Sequence, residues 1–317
     1  MVELAFQPLP LRGYSVQIRR SMSSNLSTAK PKVACEIASD RIVAGRVSDR
    51  GTIADCTSTD LPAGVVSPDL TEANLRDRNA VYRILHDTLD SVSGKASEVI
   101  AILPDAAVRV VLLDFEALPH NRQEAEAIVR FRLKKSLPFD VDKAKVSYHG
   151  QPSATGVRVV AAVVLASVLE EYESVFREAG YNPGVVMPST LAALGAASGE
   201  RPTLIVKVDA HTTSIAILAE QQLLLFRTLE NQSGIAISGD KLAEEVYPSV
   251  VFFQDTYHLN IDEIFVAGLP RASQAAPALE TQTGAEVRDF LLAVPPEKLA
   301  GSTPNWRMAG VLGALVS

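Results

Sequence analysis

Two stretches of this chain have the same form, and any fold must accommodate both. Thr203 to Leu218 reads T-L-I-V-K-V-D-A-H-T-T-S-I-A-I-L. It consists of two short β-branched runs around a polar turn, Asp209-Ala210-His211-Thr212, which is the signature of a tight hairpin. Val33 to Val47 reads V-A-C-E-I-A-S-D-R-I-V-A-G-R-V, again strand, short polar turn, strand. Two such openings about 170 residues apart predict a chain of two lobes that begin alike. The 317 residues suffice for two cores.

The rest of the chain fits around these hairpins. Residues 1–32 hold Pro8, Pro10 and a Ser/Asn/Thr-rich stretch without periodicity, so a disordered tail is expected, and Met22 could be the natural start. Arg12, Arg19 and Arg20 lack the apolar run that a targeting signal needs. The first lobe is expected over 33–200. It has a third strand near Gly51–Thr57 and a helix over Thr71–Val92, capped by Thr71 or Asn74. A strand follows over Glu98–Leu103, closed by Pro104-Asp105.

An inserted subdomain, about 106–180, reads strand, helix, strand, strand, helix. Its first helix, Asn121 to Leu137, carries Ala125, Ile128, Val129, Phe131 and Leu133 along one side and ends at Pro138. Pro183–Met187 then returns to the first sheet, and Ser189 caps a helix to Ala197. The second lobe, 201–317, has three strands from Thr203 and a helix over Ser238–His258. A strand at Glu263–Ala267, a helix after Pro270, an isolated segment near Glu286–Phe290 and a final helix over Asn305–Leu315 complete it.

The duplicated hairpin resembles the actin-like ATPase superfamily (actin, chaperone ATPases, sugar kinases and the division protein FtsA), an α/β fold of two ribonuclease H-like lobes. Within it the chain most resembles the type IV pilus assembly family of PilM. The stretches that carry this are L-P-A-G-V-V-S-P-D-L from Leu61, F-R-L-K-K-S-L-P-F from Phe131, L-I-V-K-V-D-A-H-T-T-S-I from Leu204 and I-D-E-I-F-V-A-G-L-P from Ile261.

Relatives carry Asp-x-Gly in each hairpin, the Asp facing Mg²⁺ and the Gly letting turn N–H groups approach phosphate. Here the first turn is Glu36-Ile37-Ala38, followed by Ser39 and a second acid, Asp40. Ala38 adds a Cβ where a φ above zero could be needed. The plain reading of Glu36 and Asp40 is a solvated turn. In the second turn Lys207 takes the Asp position and Asp209 the Gly position, with His211 and Thr212 beyond. A protonated Lys has no lone pair for a metal, and Asp209 would oppose phosphate. An internal Lys207–Asp209 pair in the metal's place is one option; a surface pair is the plainer one.

Other family parts depart as well. Met187-Pro188 stands where relatives place an acid. Of the Gly-Gly pair under adenosine only Gly268 remains. The subdomain that walls the adenosine pocket should lie between the third strand and long helix of lobe two, where this chain has only Asn231–Ile237. The resemblance with these losses implies a non-catalytic scaffold with no cofactor. It would work in the cytoplasm at the inner membrane, holding the cytoplasmic tail of a PilN-like single-span protein between the first-lobe core and the insertion, near Val108–Phe115. An active ATPase using Glu36 and Asp40 for the metal is the alternative. An FtsA-like adaptor is another, although M-A-G-V-L-G-A-L-V-S lacks the basic face of a membrane helix.

Composition excludes other classes. The net charge of −7 argues against a nucleic-acid footprint. No apolar run is long enough for a membrane span. Cys35 and Cys56 fit no metal spacing and suit a reducing compartment. The five histidines never pair at i, i+4, and Gly234–Lys241 only approximates a P-loop. Arg130, Arg132, Lys134 and Lys135 end the insertion's first helix. The helix dipole accounts for two of the four, and the surplus could meet an acidic partner or lipid headgroups.

Overall fold

The computed structural model describes residues 30–299 and 304–317. The expected tail, with Met22, Arg12, Arg19 and Arg20, lies outside the described residues except for Lys30–Lys32.

The repeat is real at the level of topology. In the first lobe β1 (Val33–Ile37), β2 (Arg41–Val47) and β3 (Ile53–Asp60) form an antiparallel meander. Then β4 (Glu98–Leu103) and β8 (Asn182–Pro188) add in parallel, giving the order β3-β2-β1-β4-β8. In the second lobe β9 (Thr203–Val208), β10 (Thr212–Ala219), β11 (Gln222–Glu230), β12 (Glu263–Ala267) and β13 (Glu286–Asp289) repeat it as β11-β10-β9-β12-β13. The segment near Glu286, expected to stand alone, is therefore the edge strand of this sheet. It is short and charged, and its pairing to β12 is a long-range fact that no local pattern carries.

Helix α1 starts later than expected, at Arg78–Ser93, with Asp77 as N-cap accepting from Ala80 N. Thr71 to Leu75 is not helical because its backbone is held elsewhere. The Glu171 carboxylate, on α3 (Ala166–Glu178), accepts from Asn74 N and Leu75 N at 2.8 and 2.7 Å. The buried Asn74 side chain donates to the carbonyls of Asp69 and Glu72.

The insertion has the expected order. β5 (Arg109–Phe115), β6 (Ala144–Ser153) and β7 (Gly156–Leu165) form a sheet ordered β5-β7-β6, with α2 (Arg122–Leu133) on its outer face. Successive β7 side chains alternate. Val159, Ala161 and Val163 pack with Val129 and Leu133 of α2, while Val160, Ala162 and Val164 join the first-lobe core. Ile128 and Phe131, read as core, are instead 39% and 67% exposed, because the buried stripe is only Ala125, Val129 and Leu133. The insertion also reaches the second lobe. Gln151 exchanges two hydrogen bonds with the Leu223 backbone. Arg158 donates to Tyr257 Oη at 2.6 Å and pairs with Asp114.

After β8 come the short α4 (Ser189–Ala193) and, in lobe two, α5 (Gly239–Tyr257) and α6 (Ala276–Thr283). Between β11 and α5 lie only residues 231–238, with one 3₁₀ turn. The last helix, α7 (Ala309–Val316), does not stay with the second lobe: Val311, Leu312 and Leu315 belong to the first-lobe core. Its Gly313 lies so close to Ala192 and Ala193 of α4 that a Cβ would meet their backbone.

Candidate functional site

The two hairpin turns face each other across the cleft. Each is closed by one equivalent hydrogen bond, Ala38 N to Arg41 O in the first and Asp209 N to Thr212 O in the second. These bonds fix the correspondence: Glu36 matches Lys207 and Ala38 matches Asp209. Ala38 is absent from the positive-φ residues, so its Cβ costs no strain.

What the turns hold between them is an ionic cluster. Lys207 is 1% exposed, and its Nζ pairs with Asp209 Oδ2 and lies 3.5 Å from Glu36 Oε1. Arg41, fully buried, donates to Asp40 at 2.8 Å and to Asp209 at 2.9 Å. Glu36 is 1% exposed and accepts from Ser189 Oγ at 2.5 Å; its Oε2 finds no donor among the described residues. Asp105, also buried, accepts from Thr190 N, Thr190 Oγ1 and Ser214 Oγ. Four carboxyl groups (Glu36, Asp40, Asp105, Asp209) thus surround two cations, Arg41 and Lys207. Three of the links cross between lobes: Glu36–Lys207, Arg41–Asp209 and Asp105–Ser214.

This corrects two expectations. Glu36 is not a solvated turn residue; only Asp40 keeps partial exposure. The Lys207–Asp209 pair is internal, not on the surface. The reason is topological: β1 and β9 are the central strands of their sheets, so their turns meet at the lobe interface and lose water there. Sequence reasoning also missed Arg41, Asp105, Ser189 and Ser214. Nothing local marks them, since an Arg after an Asp or an Asp after a Pro reads as ordinary turn chemistry.

The protonation behaviour follows from burial set against charge. Burial alone would lower Lys207, but Asp209, Glu36 and Asp105 outweigh it and raise its pKa. Burial pushes Asp209 up, yet Lys207 and Arg41 together hold it below the usual carboxylate range. For Asp105 burial wins over Lys207 and the Thr190 hydrogen bonds, and its pKa is raised. A carboxyl that holds its proton more tightly when folded contributes stability below the unfolded value of 3.8, lost as pH rises through the folded value. Asp105→Asn keeps the shape and removes that loss. Urea unfolding from pH 4 to 7 is therefore expected to show a smaller decline with rising pH in Asp105→Asn than in the parent. Equal slopes would contradict this assignment.

Ala38, Ser39, His211 and Thr212, with Glu36 and Asp209, line the remaining opening, whose empty volume is about 340 Å³ including its solvent-open part. Gly268 sits at the end of β12 with φ +78, against the Val208 carbonyl. Its N–H donates to Trp306 O, and Trp306 lies between Arg41 and Arg307 at 5.9 and 4.9 Å. Strand packing thus explains this glycine without any ligand. The basic cluster lies elsewhere, at the end of α2: Arg130 and Arg132 are in its last turn, Lys134 is its C-cap and Lys135 lies beyond it. Arg130 pairs with Glu126 and donates to Val141 O and Ala144 O, and Lys134 pairs with Asp142.

Two sheets of identical strand order, an insertion in the first lobe and paired hairpin turns across a cleft define an actin-like ATPase fold. The chain is similar to a solved PilM-PilN type IV pilus biogenesis complex at 18% identity, covering 90% of this chain and 99% of that one, with a TM-score of 0.74. It is also similar to a Bacteroides thetaiotaomicron protein of actin-like ATPase fold and unknown function (12% identity, 84% and 93% of the two chains, TM-score 0.51). A third similar structure is the cytoplasmic domain of EpsL, an inner-membrane component of the Vibrio cholerae type II secretion system (10% identity, 90% and 94%, TM-score 0.51). No family model and no curated protein matches the chain.

Proposed function

We propose that this chain is a non-catalytic scaffold of a pilus or secretion assembly platform. It holds the cytoplasmic tail of a PilN-like single-span membrane protein and sits at the inner membrane through that partner. The observation that carries the non-catalytic part is the position of Lys207. Its ammonium stands between Glu36 and Asp209, where a divalent cation would have to bind, and it offers no lone pair. Asp209 replaces the glycine that would let backbone approach phosphate. The residues present do not fit a magnesium nucleotide. The short 231–238 connection leaves one side of the cleft without the wall that an adenosine would need. The partner rests on likeness in fold to the PilM-PilN complex and to EpsL. No helix among the described residues is long and apolar enough to cross a membrane, so a tether through a partner fits.

Calorimetric titration of the chain with MgATP is expected to give no saturable heat into the millimolar range. Micromolar binding, about −8 kcal/mol, would overturn the inert reading. A peptide copying the short cytoplasmic tail of a PilN-like single-span protein from the same organism is expected to bind. Absence of binding would remove the partner while leaving the nucleotide result standing.

A further inference from the structure

The insertion is the basic part of an acidic protein. From Arg109 to Leu165 it carries nine Lys and Arg against six Asp and Glu, while the whole chain has a net charge of −7. Its α2 covers the side of the β5-β7-β6 sheet that faces away from the first-lobe core, and turns its own far side to solvent. Phe131 is on that side, 67% exposed, with Ile128 three residues before it and 39% exposed. Lys134, the C-cap, and Lys135, in the turn beyond, follow Phe131 by three and four residues, the spacing of neighbours on a helix surface. Both are exposed.

The cations around Phe131 are not used up inside the molecule. Arg132 stacks over Phe115, 5.4 Å from the ring centroid, and neither it nor Lys135 has an ion-pair partner among the described residues. Lys134 reaches Asp142 at 3.4 Å, but both side chains are more than half exposed, and such a pair contributes little against water. The other acids nearby are engaged or distant. Glu126 pairs with Arg130, and Asp140 accepts from Asp142 N. Glu124 lies seven residues, about 10 Å, toward the start of the helix. The exposed aromatic on α5 shows the contrast. Phe252 is 53% exposed, and three and four residues either side of it stand Pro248, Ser249, Asp255 and Thr256, with no cation among them.

We propose that this end of the insertion docks on the surface of an anionic lipid bilayer. Phe131 and Ile128 enter the headgroup layer, and Arg132, Lys134 and Lys135 meet the negative headgroups. An apolar tip ringed by unneutralised cations matches a surface that is negative outside and apolar just beneath. Screening over about 10 Å at 0.1 M salt makes the local charge of the patch count for more than the acidic total of the chain. Each cation near an anionic leaflet is worth about a fivefold gain in binding. One such patch gives weak, reversible attachment, since lasting anchoring takes two signals. The contact therefore orients a protein already held at the membrane. That role rests on the tether proposed above; the lipid contact itself does not.

Cosedimentation of the whole chain with vesicles tests the contact without partner or nucleotide, so its result stands apart from those with the tail peptide and MgATP. At millimolar lipid and about 50 mM salt the protein is expected to bind vesicles of equal phosphatidylglycerol and phosphatidylcholine, to ignore phosphatidylcholine alone, and to be released at about 0.5 M salt. Lys134→Glu combined with Lys135→Glu should weaken binding by at least about 20-fold, and Phe131→Ser by about tenfold. Phe252→Ser should change nothing. These side chains are all exposed, so thermal unfolding of every variant should match the parent. A parent that stays in solution beside the anionic vesicles overturns the proposal, as does equal binding to neutral ones. Binding that survives both the double Lys variant and Phe131→Ser also overturns it, since the contact would then lie elsewhere in the chain. A parent that ignores vesicles while Phe131→Ser loses the tail peptide would give the patch to the protein partner instead.

Discussion

Lys207→Met is expected to destabilise the protein by about 3–5 kcal/mol, the cost of stranding buried charge without its counter-ion. Met keeps the length and the apolar stem but leaves Glu36 and Asp209 facing each other across the lobe interface, with Arg41 as the only remaining cation. Chemical unfolding followed by the fluorescence of Trp306, which stacks on Arg41, reads the loss where it occurs. Adding Glu36→Gln and Asp209→Asn should recover most of the stability, since an interior without ions need not be less stable than one with a pair. A single variant within 1 kcal/mol of the parent would mean that Lys207 holds nothing together.

Gly268→Ala is expected to cost at least as much, on the order of 3 kcal/mol or more, by a different route. At φ +78 an L-residue already pays, and the new methyl would also fall within the van der Waals envelope of the Val208 carbonyl, forcing β12 away from β9. Gly64 supplies the control. It has the same φ of +78 with nothing within 4 Å of a prospective Cβ. Gly64→Ala therefore carries the backbone penalty alone, about 1–2 kcal/mol. Equal unfolding midpoints for the two variants would sink the steric argument.

The fold was legible where local pattern and long-range pairing agree. β1, β2, β9 and β10 are β-branched runs broken by polar turns, and their boundaries come within two residues of the reading. Elements fixed by distant partners were not legible. The start of α1 depends on a carboxylate on α3, nearly a hundred residues away. β13 has too few β-forming residues to announce itself. The substitutions at Glu36, Lys207 and Asp209 could be read by register against the opposite hairpin. An internal Lys207–Asp209 pair was one of two readings; that Glu36 would join it could not be read, because Glu36 and Lys207 belong to different lobes. Arg41 is the clearest loss. A charged residue beside Asp40 looks like surface until the second lobe covers it.

The return of α7 to the first lobe has a consequence for the order in which this molecule can be made. Gly45 of β2 meets Val311 and Leu315, roughly 270 residues later in the chain. As the polypeptide leaves the ribosome, its leading half carries an apolar trough with nothing to fill it until the trailing segment emerges. The two halves therefore cannot mature as independent modules. Until residues 309–316 have been made, the first lobe leaves apolar surface uncovered, and such surface is what makes a partly made chain prone to aggregate.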